Sequence, residues 1–312
     1  MLFLNFDKAG AEWVVVAYLS GDERMLDIVK SGRSPHVATG ALISGASEQL
    51  VQLEHEKVGE ANDPYAIEEI RASIPELRLG SYFLPRTMSI RQAGKKSNHA
   101  LNYGEGYRVF ALYNEMEESE AKKIVDYYTT RAYPGVRLYH QSIERELRSN
   151  GRTLINCFGR KVVLRGPWDA HLLKKGYSFK PQSTVVDMVN EGMTKSYEDE
   201  SEDMYDLEIL AQVHDSLLSQ HPIPHSPSEW TRLARACQRV DRYMSPVCNY
   251  GHSSISAFKI KTDLKIGLDW QHMEKVSIGK DPIKMGLELE ATFVRMSVVN
   301  SVREAAEFDM VV

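Results

Sequence analysis

The sequence predicts a mixed α/β fold of the α+β kind, with strands from distant parts of the chain and a long helical middle. Three observations carry that expectation. Residues 2–6, "LFLNF", form an apolar run that ends on an aspartate. Two more apolar runs, "LEILAQV" (207–213) and "LLSQ" (217–220), flank "HDS" and read as strands around a tight connection. Between these ends one helix-start signal follows another, with no internal repeat and no low-complexity linker.

In order, residues 2–6 form a strand that delivers Asp7 to its edge. A short helix covers about 10–19, and "SGD" turns the chain. Asp22 is an N-cap for a helix to Lys30, closed by Gly32. Ser34-Pro35 sets an N-cap before a first-turn proline and opens a helix to about Ser44. Residues 45–63 read as polar and irregular. Ser89 and Gln92 make a capping box for a helix to about Asn102. Helices follow at roughly 107–114, 117–131 and 134–149. "TLINCFGRKVVL" (153–164) reads as two short strands, Gln182 to about Tyr197 as helix, and "EDESEDMYD" (198–206) as an exposed acidic loop. Ser226-Pro227 starts a helix to about Met244, "AFKIKTDLKIG" (257–267) is strand-like, and the last forty residues are of mixed pattern.

A chain of 312 residues, 43% hydrophobic and 26% charged, has an ordinary globular composition and can bury two subdomain cores. Its longest unbroken apolar run, Trp13 to Leu19, is too short to span a bilayer, and no signal peptide opens it. Cys157, Cys237 and Cys248 lack metal-type spacing and suit a reducing compartment as apolar side chains. A cytoplasmic protein with no membrane partner is expected. The net charge of −5 hides its distribution: from Arg86 to Lys180 there are 18 Lys and Arg against 9 Asp and Glu, leaving about −14 elsewhere. A basic middle suits a phosphate backbone; it equally suits a solvated helical surface.

Asp7 and Asp215 are strand-edge carboxylates. If they converge, they can hold two Mg²⁺ ions for phosphoryl transfer, since Mg²⁺ prefers hard oxygen ligands. Singly, an aspartate at a strand end or tight turn usually serves local hydrogen bonding. His214-Asp215 also invites comparison with metal phosphohydrolases, yet His36, His55, His99 and His140 lie at no ligand-like spacing. "HEKVG" (55–59) lacks the second histidine of a zinc-protease motif, and no glycine-rich phosphate loop ending in Gly-Lys-Ser/Thr occurs. The helix opened by Ser89 carries Arg91, Lys95, His99 and Tyr103 at intervals of four, a stripe that drifts about 40° per step. Its two cations suit triphosphate oxygens, and its two rings suit stacking on a base. The plainer alternative is an exposed basic helix whose rings pack on neighbours.

"RQAGKKSNHALNYG" (91–104) resembles the fingers-helix motif of family A DNA polymerases, in register at Arg91, Lys95, Asn98, Tyr103 and Gly104. "DKAGAEWVVVAYLSGD" (7–22) resembles that family's first palm motif and "QVHDS" (212–216) its last. "SGRSPHVATG" (31–40), "YPGVRLY" (133–139), "TLINCFGRK" (153–161) and "KPQSTVVDM" (180–188) are similar to further family motifs. "KTDLKIGLDWQHM" (261–273) is similar to the terminal strand, closest in character to phage members. These motifs run collinearly over roughly residues 1–273.

The resemblance implies a right-hand polymerase with an antiparallel palm sheet and helical fingers, the thumb being absent. The implied division is palm at 1–32, fingers and connecting segments at 33–180, palm again at 181–273, and a C-terminal extension of unplaced role at 274–312. The implied reaction is template-directed attack of a primer 3′-hydroxyl on a deoxynucleoside triphosphate. Asp7 and Asp215 would bind two Mg²⁺ ions, with Mn²⁺ as a substitute, and Lys95 would stand nearest the transferring phosphoryl. Arg91, Lys95 and His36 would hold the triphosphate, Glu12 would gate the sugar, and His99 and Tyr103 would meet the nucleotide. Gln182, His214, Tyr103 and Arg160 would contact DNA.

Some positions depart from the family pattern: His99 for Phe or Tyr, Ala100 for Gly, Ser178 for Asn, Ser216 for an acid, and Val14 for Arg. Ser216 removes one charge beside the metals; with Asp7 and Asp215 retained, activity is expected to survive. No thumb or 3′→5′ exonuclease motif precedes Asp7. The expectation is therefore a split polymerase completed by a second polypeptide, or else a truncated chain, with the neighbours of the first strand missing. A non-catalytic DNA-binding scaffold descended from a polymerase is the alternative of a different class.

Overall fold

The first strand, β1 (Leu2–Asp7), alternates strictly: Leu2, Leu4 and Phe6 are buried on one face, and Phe3, Asn5 and Asp7 occupy the other. That period of two marks a strand with one covered face. Helices α1 (Ala11–Ser20), α2 (Glu23–Ser31), α3 (Pro35–Ser44), α4 (Glu48–Val58), α5 (Pro64–Ala72) and α6 (Pro75–Leu79) follow. Next come α7 (Ile90–Asn102), α8 (Tyr107–Tyr113), α9 (Glu118–Tyr127), one π-helical turn at 128–132, and α10 (Pro134–Ser149). The hairpin β2 (Thr153–Ile155) and β3 (Lys161–Val163) precedes α11 (Ala170–Tyr197), β4 (Glu208–Val213) and β5 (Ser216–His221). The chain continues with α12 (Pro227–Met244), β6 (Asp263–Gly267), β7 (Met273–Val276) and α13 (Pro282–Asp309). The computed structural model describes residues 1–309 other than 9, 81 and 252–254, with side chains through 299. The last three residues of the C-terminal extension lie outside the described residues.

The expected α+β class holds: a five-stranded sheet of order β4-β5-β1-β6-β7, with every pair antiparallel, is combined with many helices. The missing neighbours of β1 are a correction. A central strand must satisfy backbone groups on both sides, and β5 and β6, both from later in this chain, do so. On one face Leu2, Leu4, Phe6, Leu217, Leu264 and Ile266 form a core with Trp230, Leu233 and Cys237 of α12 and Leu289 of α13.

The chain divides into two compact units. One comprises Met1–Ala11, Thr184–Cys248 and Ala257–Val312; the other comprises Glu12–Ser183 and Asn249–Ser256. The second unit is helical around a core that includes Trp13, Leu101, Phe110, Tyr128, Tyr133, Tyr139 and Ile143. Among the described residues no helix is long and apolar enough to cross a membrane.

Five segments differ from expectation. Residues 48–58 are helix α4, capped by Ser47 accepting from Leu50 N. The buried face of α4 includes Glu54, fully enclosed against Arg71 (2.6 Å), so its apolar period looks broken in sequence. Helix α11 starts twelve residues before Gln182 and runs through Pro181. Proline removes the bond that the carbonyl four residues earlier would accept. That carbonyl is Tyr177 O, and the buried Tyr139 hydroxyl donates to it at 2.6 Å. Tyr139→Phe leaves it without that donor and is expected to cost about 1–3 kcal/mol, read from the urea unfolding midpoint; an unchanged midpoint would refute the compensation.

The acidic segment 198–206 is pinned to α12 rather than free, through Asp199–Arg239, Asp203–Arg235, Asp203–Arg239 and Asp206–Arg232. The mixed tail resolves into β7 and α13. Of 257–267, only Asp263 onward joins the sheet, while Phe258 makes an isolated bridge with Cys248.

Candidate active site

In the sheet unit, register does most of the assembly. Asp7 stands opposite Ser216 of β5 and opposite Asp263 of β6, and cross-strand partners share a face. The β4–β5 connection is His214 and Asp215. His214 is exposed and holds φ 55°, a left-handed conformation that costs a non-glycine residue and is often kept at functional turns. Lys8 N donates to Asp215 O at 3.1 Å, so the positions after Asp7 and before Ser216 are directly hydrogen-bonded. Lys8 itself is fully buried. Its ammonium donates to Ser245 Oγ (2.9 Å), Ile260 O (2.8 Å) and Thr262 Oγ1 (2.8 Å), which uses all three of its protons. Burial pushes this lysine down to about 8, against the pull of Asp241 and Cys248. It anchors the strand end that presents Asp7. Asp263 is engaged by Lys275 at 2.7 Å.

Among the described residues no three His, Cys, Asp or Glu side chains are placed to hold a metal by themselves. Asp7 and Asp215 offer hard carboxylate oxygens on neighbouring strand ends. Mg²⁺ is commonly held by one or two carboxylates, with waters and substrate phosphates completing its shell. The donor set therefore fits Mg²⁺ arriving with a triphosphate and does not fit a caged structural metal.

In the helical unit, α3 and α7 form the second assembly. Ser89 caps α7 by accepting from Gln92 N at 3.2 Å, and the row Arg91, Lys95, His99 and Tyr103 follows, with Arg91 half-buried and Lys95 exposed. Buried Asn98 organises the rest. Its Oδ1 accepts from Trp13 Nε1 (3.0 Å), Thr39 Oγ1 (2.8 Å) and Tyr128 OH (3.0 Å). An indole only donates, so the amide oxygen must face Trp13 and the amide nitrogen the other way. That Nδ2 lies 3.3 Å from His36 Nδ1, which must then accept, leaving the ring proton on Nε2. Burial, Arg91 and Lys95 push His36 down to about 4, so it is neutral at pH 7. The approach of the helices rests on two glycines. A Cβ at Gly94 would lie 2.3 Å from His36 O, and one at Gly40 would lie 2.8 Å from Ile90 O.

Glu12 of α1 accepts from the Tyr103 hydroxyl and lies 3.8 Å from His99 Nδ1. The His99 and Tyr103 rings meet edge-on at 5.4 Å. Burial and the Glu12 carboxylate hold the Tyr103 phenol well above its ordinary range. Gln182 is exposed on α11, and Arg160 is exposed in the β2–β3 turn. Asn156 connects those two places: its Oδ1 accepts from Arg160 N at 3.0 Å and its Nδ2 donates to Ser183 Oγ at 3.1 Å.

The predicted residues thus fall into two sets, each described within its own unit. Asp7, His214 and Asp215 lie together in the sheet unit; His36, Arg91, Lys95, Glu12, His99 and Tyr103 lie together in the helical unit, which also holds Arg160 and Gln182. Asn98, Gly94 and Lys8 went unassigned in sequence. Gly94 had a signal, since a glycine inside a capped helix usually has a packing reason.

The model of DNA polymerase family A matches residues 85–272. DNA polymerase I of Caldicellulosiruptor bescii is 23% identical over 227 residues, covering 71% of this chain and 22% of that protein. The DNA polymerase of Mycobacterium phage D29 is 25% identical over 194 residues, 62% of this chain and 25% of that one. A solved POL domain of Pol1 from M. smegmatis, in complex with DNA primer-template and dNTP, matches with a TM-score of 0.61 at 17% identity. It covers 86% of this chain and 40% of that chain, a likeness of fold. The chain spans about a quarter of the length of the curated relatives it matches.

Proposed function

This chain belongs to DNA polymerase family A, and from that premise we propose that it carries out template-directed transfer of a deoxynucleotide to a primer 3′-hydroxyl. The observation that carries the reading is the β1–β5 register, which makes Asp7 and Asp215 close neighbours at one end of the sheet. Those two carboxylates would hold the Mg²⁺ ions, or Mn²⁺ in their place. Bound there, such ions neutralise phosphate charge and make the attacking oxygen more nucleophilic. Arg91, Lys95 and His36 take the triphosphate. His36 does so as a neutral ring donating from Nε2, so it orients an oxygen without adding a third full charge. Lys95, exposed one turn beyond Arg91, serves the phosphoryl that is transferred. Such transfer is mainly positioning and charge neutralisation, which two cations and a fixed donor supply.

Gln182, His214, Tyr103 and Arg160 contact the primer–template. The sheet unit acts as palm and the helical unit as fingers, and the duplex grip of a thumb comes from residues outside this sequence, on the same or another polypeptide. The setting is phage-type DNA replication in the cytoplasm. Glu12, tied to Tyr103, gates the sugar: Glu12→Ala is expected to raise ribonucleotide over deoxyribonucleotide use about tenfold or more. Competitive single-nucleotide incorporation measures this, and unchanged sugar selectivity would remove Glu12 from the role. Primer extension with Mg²⁺, alone and with a second polypeptide that supplies a thumb, tests the activity itself. Duplex binding without extension in both cases would favour the scaffold reading.

A further inference from the structure

His55 takes no part in the chemistry above, and no motif absorbs it. It follows the buried Glu54, so α4 presents two successive polar side chains to the first turn of α7. Glu54, held by Arg71, accepts the Ile90 amide at 2.9 Å. His55 Nδ1 lies 2.9 Å from Ser89 Oγ, and Arg91 Nη1 lies 3.3 Å from His55 Nε2. A guanidinium only donates. Nε2 must therefore offer its lone pair, and the ring proton must sit on Nδ1, where it is given to Ser89 Oγ. The same oxygen accepts the Gln92 amide at 3.2 Å. One imidazole thus ties the helix cap to the first cation of the stripe. An arginine held in place before a ligand arrives gives up less side-chain freedom on binding.

We propose that His55 is a positioning residue that holds Arg91 in the orientation that receives the nucleotide triphosphate, and that it does so only as a neutral ring. The proposal rests on the nucleotidyl-transfer reading given above. Protonation of Nε2 removes the acceptor and sets a positive charge against the guanidinium. Burial and Arg91 of α7 hold the ring below its ordinary 6.5, while Glu60 after α4 and Glu54 and Glu56 on it pull the other way. The two contacts of the ring and its lowered affinity for a proton both favour the neutral form, and acidification supplies the proton that breaks the tie.

The test is single-nucleotide incorporation on a primer–template by the full chain, with KM for the deoxynucleoside triphosphate and kcat measured from pH 5.5 to 8. Wild type, His55→Ala and His55→Gln are compared. A glutamine can accept from Arg91 and does not titrate. His55→Ala is expected to raise KM about tenfold at pH 7.5 with kcat within about twofold, and His55→Gln to recover most of that loss. Toward pH 5.5 the wild-type KM is expected to climb relative to that of His55→Gln. Titrations of the triphosphate and the carboxylates are common to both proteins and cancel in the ratio. A wild-type KM retained in His55→Ala, or a ratio flat in pH, overturns the proposal while leaving the polymerase reading intact. A wild type that binds duplex but incorporates nothing overturns the reading beneath it, and this proposal with it.

Discussion

Asp7→Asn and Asp215→Asn are each expected to lower single-turnover nucleotide incorporation by about a thousandfold or more, roughly 4 kcal/mol of transition-state stabilisation. Asparagine keeps the shape of the side chain and removes the charge that a divalent cation needs. The fold should hardly notice. Asp7 is half-buried at the end of β1, where the ladder with β5 and β6 is made by backbone groups. Asp215 lies in a two-residue connection of a kind that tolerates asparagine. Melting temperatures within about 3 °C of wild type are expected. Incorporation within tenfold of wild type in either variant would take that residue out of the chemistry.

Gly94→Ala is the second large effect, and it sets two opposing magnitudes against each other. Alanine in a helix interior is favoured over glycine by about 1 kcal/mol. At this position the added Cβ would meet His36 O at 2.3 Å and Gly40 N at 2.6 Å, and both are backbone atoms that cannot swing aside. Overpacking of this sort costs about 1–3 kcal/mol or more, so the clash should win and α7 must move off α3. His36 then loses its place relative to Arg91 and Lys95. The expected outcome is a net loss of about 2 kcal/mol in urea unfolding, with KM for the triphosphate raised about tenfold. A variant as stable as wild type, with unchanged KM, would show that the tight α3–α7 approach is dispensable.

Local signals made most elements legible. Asp22, Ser34, Ser89 and Ser226 each cap the helix expected of them, because a short oxygen side chain before a helix start acts through its nearest neighbours alone. The strand pair around His214-Asp215 was legible for the same reason. What escaped depends on distant partners. Helix α4 hides behind Glu54, whose charge makes sense only beside Arg71. The continuity of α11 through Pro181 needs Tyr139, far upstream, to donate to Tyr177 O. Both neighbours of β1 lie more than two hundred residues downstream.

The site divides along the same line. Asp7, Arg91, Lys95 and Tyr103 were visible through motif spacing. The tautomer of His36 was not, because it is set by the way Trp13 orients Asn98. The anchoring of Lys8 was hidden too, since its acceptors belong to residues 245–262. Asp263 opposite Asp7 needed the sheet order to be found.

The proposed function requires that this chain's own carboxylates and cations perform templated transfer. The most direct measurement is single-turnover incorporation on a short hairpin primer–template, with Mg²⁺ and excess protein to offset weak duplex grip. Wild type and Asp7→Asn should be run side by side, with and without a second polypeptide that supplies a thumb. The predicted result is addition of the templated deoxynucleotide with pyrophosphate release by wild type, and none by Asp7→Asn on that timescale. Intact duplex binding with no incorporation by wild type under any of these conditions, or equal incorporation by Asp7→Asn, would contradict it.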